Sequence, residues 1–293
     1  MLALAMLQGT DDTTGMMLIT LVVLTLLTFV VLGVKFFVNL FEVVTAPGAS
    51  LKHLGTSDTA FYSFAVVFLG HMIGSIVLVL NRAAMSEGYQ VFSVQYGEHL
   101  ASMNSNKNYQ DVAANWASNQ LNSLFQTMVD TNLLWIGLIG MGLWILGGLI
   151  FFLAAKMFGS PATLSELVSS TSYAMFFFTI GFCCYAAGLL SNFSVFGEGF
   201  NPTGLMSQAP LSLVGLVLIV YSTILYFIAF MQTSDLGIGQ LIIGIVFYVL
   251  IVGGGGYLVH YKVVGPAVDQ FRSDVASIDF SKDNYKLPGE SSR

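Results

Sequence analysis

The chain has 293 residues, of which 55% are hydrophobic and only 9% are charged, against about a quarter charged in ordinary soluble domains. A water-soluble fold of this size could not cover so much apolar surface, so the excess must face lipid or neighbouring spans. The net charge of −6 excludes a basic surface that neutralises phosphates, and we expect no nucleic-acid partner.

Six stretches are long enough to cross a bilayer, because a spanning helix needs about 20 apolar residues. The first lacks the basic start and the small-residue cleavage pattern of a secretory signal, and we expect it to be a true span. The sequence therefore predicts an all-α, polytopic transmembrane helical bundle of about six spans with interfacial amphipathic helices. The predicted parts are an N-terminal segment 1–15, a single bundle 16–260 with spans at about 16–34, 59–80, 131–155, 170–190, 211–231 and 238–260, an extramembrane loop 82–130, and a polar tail 261–293.

A short amphipathic helix is predicted after the first span, at residues 35–44. Its pattern places apolar and polar side chains on opposite faces, so we expect it to lie at the lipid headgroups. It should end where Pro47 and Gly48 break the backbone. The predicted apolar face is Phe36, Phe37, Leu40, Phe41 and Val44, and the predicted polar face is Lys35, Asn39 and Glu42.

The longest loop, 82–130, is polar but carries apolar residues at helical spacing from Ala113 to Met128. This periodicity predicts an amphipathic helix that leads into the third span. The loop has too few basic residues to bind lipid phosphates, so we interpret it as a capping element or a partner-binding face. A simple solvated connector is the alternative.

The turn between the third and fourth spans has a defined pattern. Gly159 can end the preceding helix, and Thr163 with Glu166 forms the T-x-x-E pattern of a capping box. A new helix is therefore expected to start at this turn.

His71 is the single candidate among ionisable side chains near the middle of a predicted span, since His260 lies at the end of the last span, and no carboxylate or second histidine inside another span can pair with it. Buried ionisable groups mark proton relays or ligand sites by default. A neutral histidine packed between helices is the favoured interpretation, and a proton-handling or ligand-binding role is the alternative. The other histidines are too scattered for a metal site, and no catalytic residue, cofactor or metal is predicted.

Small residues recur at packing intervals in the predicted spans. Gly70 and Gly74 form a GxxxG motif, and Cys184 with Gly188 forms a second pair of small residues at the same interval. Such pairs allow close approach of two helices, where dispersion replaces the hydrophobic effect. Four consecutive glycines at 253–256 should weaken the last span, since each costs about 1 kcal/mol relative to alanine. We expect a neighbouring helix to press against them, with a hinge as the alternative.

Three motifs follow one another in a recognisable order: a lead-in helix with a proline at 40–54, a glycine turn at 154–167, and a Tyr-Ala helix start at 172–174. This order resembles the Yip family of Ypt/Rab-interacting membrane proteins, and the chain is more similar to the short prokaryotic members. The resemblance covers residues 36–260 and implies a five-span core that shapes or organises membrane proteins without catalysis. Eukaryotic members have a substantial cytosolic N-terminal region, whereas only residues 1–15 precede the first span here, so Rab binding is not implied.

We therefore expect a non-enzymatic integral membrane protein that acts as a structural, scaffolding or accessory subunit, with lipid and other membrane-protein subunits as partners. Its loops 82–130 and 191–210 would dock onto the partner. The alternative function is a permease or channel for a small uncharged solute, with His71 in its path. The resemblance places the lead-in helix and the Gly159 turn in the cytoplasm, so we expect the termini and loop 82–130 on the outer face of a prokaryotic plasma membrane.

Overall fold

The structure is a computed structural model that describes residues 12–57, 60–102, 110–191 and 210–277. Within these ranges the regular secondary structure is helical and no β-strand is present, so the prediction of an all-α fold is confirmed. In chain order the elements are α1 (Asp12–Thr45), α2 (Pro47–Ser57), α3 (Ala60–Leu80), α4 (Arg82–Ala101), α5 (Gln110–Met157), α6 (Leu164–Ser191), α7 (Pro210–Ser234), α8 (Ile238–Val259), a π-helical turn (His260–Val264) and α9 (Gly265–Ser277).

Six helical stretches of the described ranges are long and apolar enough to cross a membrane. The chain is therefore a multi-pass integral membrane protein, as predicted. The third of these stretches, Gly140–Met157, belongs to α5, a continuous helix of 48 residues. The six stretches are Thr14–Thr45, Ala60–Leu80, Gly140–Met157, Leu164–Ser191, Pro210–Ser234 and Ile238–Val275.

The spans alternate in direction, so their connections gather at two ends of the bundle. We call the lead-in end the one that holds α2, the turn before α6 and the turn between α7 and α8. Two contacts tie these connections together. Lys52 pairs with Asp235 at 2.6 Å, and Ser160 Oγ donates a hydrogen bond to the Ser234 carbonyl at 2.8 Å.

The opposite end, called the hairpin end, holds α4, residues 110–124 of α5, and α9. There Arg82 donates a hydrogen bond to Thr14 near the start of α1. The described part of the predicted loop 82–130 is helical and not an unstructured connector. The helix that was predicted to lead into the third span is present as the first part of α5.

Gly33 separates two helical segments within α1. Its φ of 60° and ψ of −161° fall in a region that is essentially restricted to glycine. Beyond it the predicted division of residues 35–44 into two faces is met only in part. Asn39 of the predicted polar face is buried with Phe36 and Val43, whereas Phe37, Phe41 and Val44 of the predicted apolar face are exposed. Aromatic rings occur on both faces of this helix, and the bundle selects the face on which Phe36 stacks against a tyrosine of α6 at 5.9 Å.

The core lies around α6, which packs against α3 on one side and α7 on the other. Leu69 of α3, Tyr173 of α6 and Leu225 of α7 are all buried in one cluster, together with Phe36 and Val43 of α1. The spans α3, α6 and α7 therefore form the centre of the bundle, and α1 and α5 lie outside it.

The last span touches the bundle mainly through its first half, where Tyr248 stacks on Phe151 at 5.3 Å. The described side chains from Val249 to Val264 are exposed, and a Cβ added at any glycine of 253–256 would have no atom within 4 Å. The expectation that a neighbouring helix presses against these glycines is therefore wrong for this chain. The continuous helical segment formed by α8, the π-helical turn and α9, which we call the rod, contacts the other helices near its two ends and not in its middle.

The predicted boundary at residue 260 does not separate two elements. The chain runs from α8 through the π-helical turn into α9 without a break. Phe271 and Val275 of α9 pack on the hairpin end, so this part of the predicted tail is an ordered helix. Residues 278–293 lie outside the described residues.

Candidate functional site

The contact between α3 and α6 is formed by the predicted GxxxG motif. A Cβ at Gly70 would lie 3.0 Å from the Cα of Phe176, and a Cβ at Gly74 would lie 2.7 Å from Cys183 Sγ. Both distances are shorter than ordinary van der Waals contact, so each glycine is needed for the two helices to approach this closely. Gly70 and Gly74 therefore lie at a helix contact.

The contact between α6 and α7 is closer still. A Cβ at Gly215 would lie 2.3 Å from the Tyr185 nitrogen, and one at Gly188 would lie 2.5 Å from the Ser212 nitrogen. Ser212 Oγ also donates a hydrogen bond to the Tyr185 carbonyl at 3.3 Å. Gly181 of α6 belongs to the same contact, because a Cβ there would lie 2.9 Å from the Gly215 carbonyl oxygen. The sequence analysis identifies Gly188 but neither Gly181 nor Gly215, although the spacing of seven residues places Gly181 and Gly188 on one face of α6.

His71 lies in α3 between α5 and α6, with a side chain that is 2% exposed. A Cβ added at Gly140 of α5 would lie 2.4 Å from the Cε1 atom of His71. The imidazole ring therefore packs directly against the backbone of α5 at Gly140. Neither ring nitrogen has a hydrogen-bond partner among the residues that the structure describes. The sequence identified His71 but gave no signal that Gly140 would be its neighbour.

Buried hydroxyl groups concentrate in the first half of α6, next to the lead-in end. Ser169 to Ser172 are four consecutive buried residues, and Thr171 Oγ1 accepts a hydrogen bond from Trp144 Nε1 at 3.0 Å. The hydroxyls of Ser63 and Ser169 are buried, and neither has a partner among the described side chains and backbone groups. Small hydroxyl side chains allow close helix approach, and most of them return a hydrogen bond to their own helix.

The turn before α6 has the local structure that its residues predict. Gly159 has a φ of +76°, which is the left-handed conformation that ends many helices. Thr163 N donates to Glu166 Oε2 at 2.6 Å, and Glu166 N donates to Thr163 Oγ1 at 3.2 Å. These reciprocal bonds form the capping box and fix the start of α6.

At the hairpin end, α4 and the first part of α5 run antiparallel. Ser93 Oγ and Ser118 Oγ lie 3.3 Å apart in their interface. Helix α9 covers one side of this pair, where Phe271 stacks on Trp116 with ring centroids 5.8 Å apart.

The features described so far are contacts between helices of this chain. No group of three or more His, Cys, Asp or Glu side chains in the described part of the chain is placed to hold a metal ion. Comparisons with protein-family models, with curated proteins and with solved structures find no match. The functional proposal therefore rests on the geometry of this chain, and the resemblance to the Yip family stays a prediction.

Proposed function

We propose that the chain is a scaffolding or accessory subunit of a membrane assembly. The observation that carries this proposal is the isolation of the last span. Only 6% of its most apolar window is buried by the rest of the chain, whereas 61% of the corresponding window of α3 is buried. The last span therefore offers almost its whole surface to lipid or to a partner.

The glycine run 253–256 favours a partner over lipid alone. Each glycine lowers helix stability by about 1 kcal/mol relative to alanine, and no atom of the described residues compensates by close contact within 4 Å. Glycines in a span allow the backbone of a second helix to approach closely. The dispersion contacts of such a helix stabilise the glycine segment more specifically than contacts with lipid tails. A transmembrane helix of a partner subunit is the occupant that fits this surface.

The hairpin end supports the same proposal from outside the membrane. Polar and charged side chains such as Glu87, Glu98 and Asn119 are exposed on α4 and α5, while the inner face is packed. Such a rigid helical pair can bind an extramembrane segment of a partner. The second predicted docking loop, 191–210, lies outside the described residues except for Ser191 and Pro210.

The resemblance to the Yip family extends the proposal to orientation and location. The proline-containing α2 and the Gly159 turn lie together at the lead-in end, as they would in a family member with both elements in the cytoplasm. The hairpin end, with the described chain ends, would then face outward from a prokaryotic plasma membrane. A cysteine at exposed Ser273 that reacts with an impermeant reagent on intact cells would support this orientation.

The experiment that tests the scaffolding role is a leucine substitution in the glycine run. Gly254→Leu fills the bare backbone, and Val249→Leu is the matched control at another exposed position of the same span. We expect gently solubilised wild-type and Val249→Leu proteins to migrate in the same large complex, and Gly254→Leu to migrate as a smaller species. Equal migration of all three proteins would contradict the proposal.

A permease for a small uncharged solute is the second candidate, because both ring nitrogens of buried His71 lack a partner within the described ranges. Such a group gains stability when a passing solute or water pairs with it. The test is solute flux into reconstituted vesicles. The scaffolding proposal expects His71→Leu to leave assembly and activity largely intact, and flux that disappears with this substitution would favour the permease.

A further inference from the structure

The segment that connects the first half of α8 to α9 makes few contacts with the other helices. The described side chains from Val249 to Val264 are exposed, so this part of the rod is held by neither the bundle nor the hairpin. The glycine run 253–256 and the π-helical turn His260–Val264 both lie in it. Glycine adds backbone freedom, and π-helical turns frequently mark functional bends. The connection therefore allows α9 to move relative to the hairpin.

The contact between α9 and the hairpin end is formed by few residues. Val275 is fully buried, and Phe271 stacks on Trp116. Much of the remaining surface of this helix of 13 residues is exposed. Segments with few buried contacts open locally at a lower free energy than the core of a fold.

The closed arrangement also leaves one polar group unpaired. The Trp116 Nε1 atom is buried, and no group in the described part of the chain forms a hydrogen bond with it. A buried donor without a partner is unfavourable, and water can pair with it once the covering helix lifts. Hydration of Trp116 Nε1 therefore offsets part of the free energy needed to separate α9 from the hairpin.

We propose that α9 is a releasable latch that closes over the hairpin through Phe271 and Val275 and uncovers an apolar seat when it lifts. The seat consists of Leu100, Ala101, Ala113, Ala117 and Trp116. The latch concerns the hairpin end alone. It goes beyond the scaffolding role and does not depend on it.

Single cysteines in the full chain, held in mild detergent, test the latch with a water-soluble maleimide. Val275→Cys reports the covered side of α9, and Ser273→Cys reports its exposed side. Ser93→Cys reports the interior of the hairpin, where Ser93 is buried. The native Cys183 and Cys184 are buried in α6, and the unsubstituted chain gives the background.

We expect Ser273→Cys to react at once, Val275→Cys to react to completion but about tenfold or more slowly, and Ser93→Cys to stay protected. Adding Phe271→Ala should raise the rate at Val275→Cys about tenfold and leave Ser93→Cys protected. Because the cysteine itself could weaken the seat, amide hydrogen exchange of the unsubstituted chain provides a second measurement. The amides of α9 should exchange through an opening that leaves α4 protected.

Three results would overturn the latch. A Val275→Cys that never reacts while the protein stays folded would show permanent packing. A Val275→Cys that reacts as fast as Ser273→Cys would show that no closed state exists. Simultaneous exposure of Ser93→Cys and Val275→Cys, or exchange of α4 together with α9, would show that α9 is part of the hairpin fold and not a separate device.

Discussion

Replacing Gly215 by alanine tests the close contact between α6 and α7. The new Cβ would lie 2.3 Å from the Tyr185 nitrogen and 2.5 Å from the Gly181 carbonyl oxygen, and neither backbone atom can rotate away. The helices would have to separate by about 1 Å to restore ordinary contact. Overpacking of this kind costs up to about 3 kcal/mol, and the better helix propensity of alanine recovers about 1 kcal/mol. We therefore expect a net destabilisation of about 2 kcal/mol.

The matched control is Gly254→Ala, where the added Cβ meets no atom within 4 Å. Only helix propensity acts there, so we expect a stabilisation of up to about 1 kcal/mol. Titration of both variants in mixed micelles with sodium dodecyl sulfate, followed by tryptophan fluorescence, gives their unfolding midpoints. The reasoning is refuted if Gly215→Ala unfolds at or above the wild-type midpoint, or if both alanines shift the midpoint in the same direction.

The same titration checks three further expectations. Gly33→Ala should cost about 1–3 kcal/mol, because alanine is strained at the φ and ψ of this kink, and wild-type stability would contradict the kink. Thr163→Ala should cost about 1 kcal/mol through loss of the cap of α6, whereas Thr163→Ser should keep most of it. Gly140→Ala should destabilise by pushing on the His71 ring, and His71→Ala should relieve part of that cost with a coupling of about 1 kcal/mol. Strictly additive effects of the last two substitutions would show that the ring and the glycine are not in contact.

The membrane spans and the local turn could be predicted because their causes are local. An apolar run of sufficient length has few alternatives to a spanning helix. The capping box of Thr163 and Glu166 needs only residues three positions apart, and the left-handed Gly159 lies in the same short segment. Each of these features depends on neighbours in sequence, and the sequence contains them in full.

The partners of the packing glycines could not be predicted, because they lie far away in the chain. Gly140 faces His71 and Gly215 faces Tyr185, and no local pattern specifies which helices meet. The glycine run 253–256 illustrates the opposite case, since its composition indicated close packing although no described part of this chain approaches it.

Two further features could not be predicted: which face of residues 35–44 is buried, and that α9 packs on the hairpin end. In both cases the choice depends on which helix face the rest of the bundle buries. Both faces of the first segment carry large aromatic rings, so periodicity identified a helix without selecting the buried side. In α9 the apolar pair Phe271 and Val275 has the spacing of one helical turn. That signal was overlooked because charged residues dominate the surrounding tail.

The most direct test of the scaffolding role places a photo-crosslinking amino acid at Gly254 in native membranes, with a second at Val249, which is exposed on a different face of the same span. If the glycine run binds a partner helix, irradiation should join Gly254 to one defined second polypeptide in high yield, while Val249 gives lipid adducts or a weaker product. Lipid adducts alone from both positions would contradict the account, because the last span would then face only the bilayer.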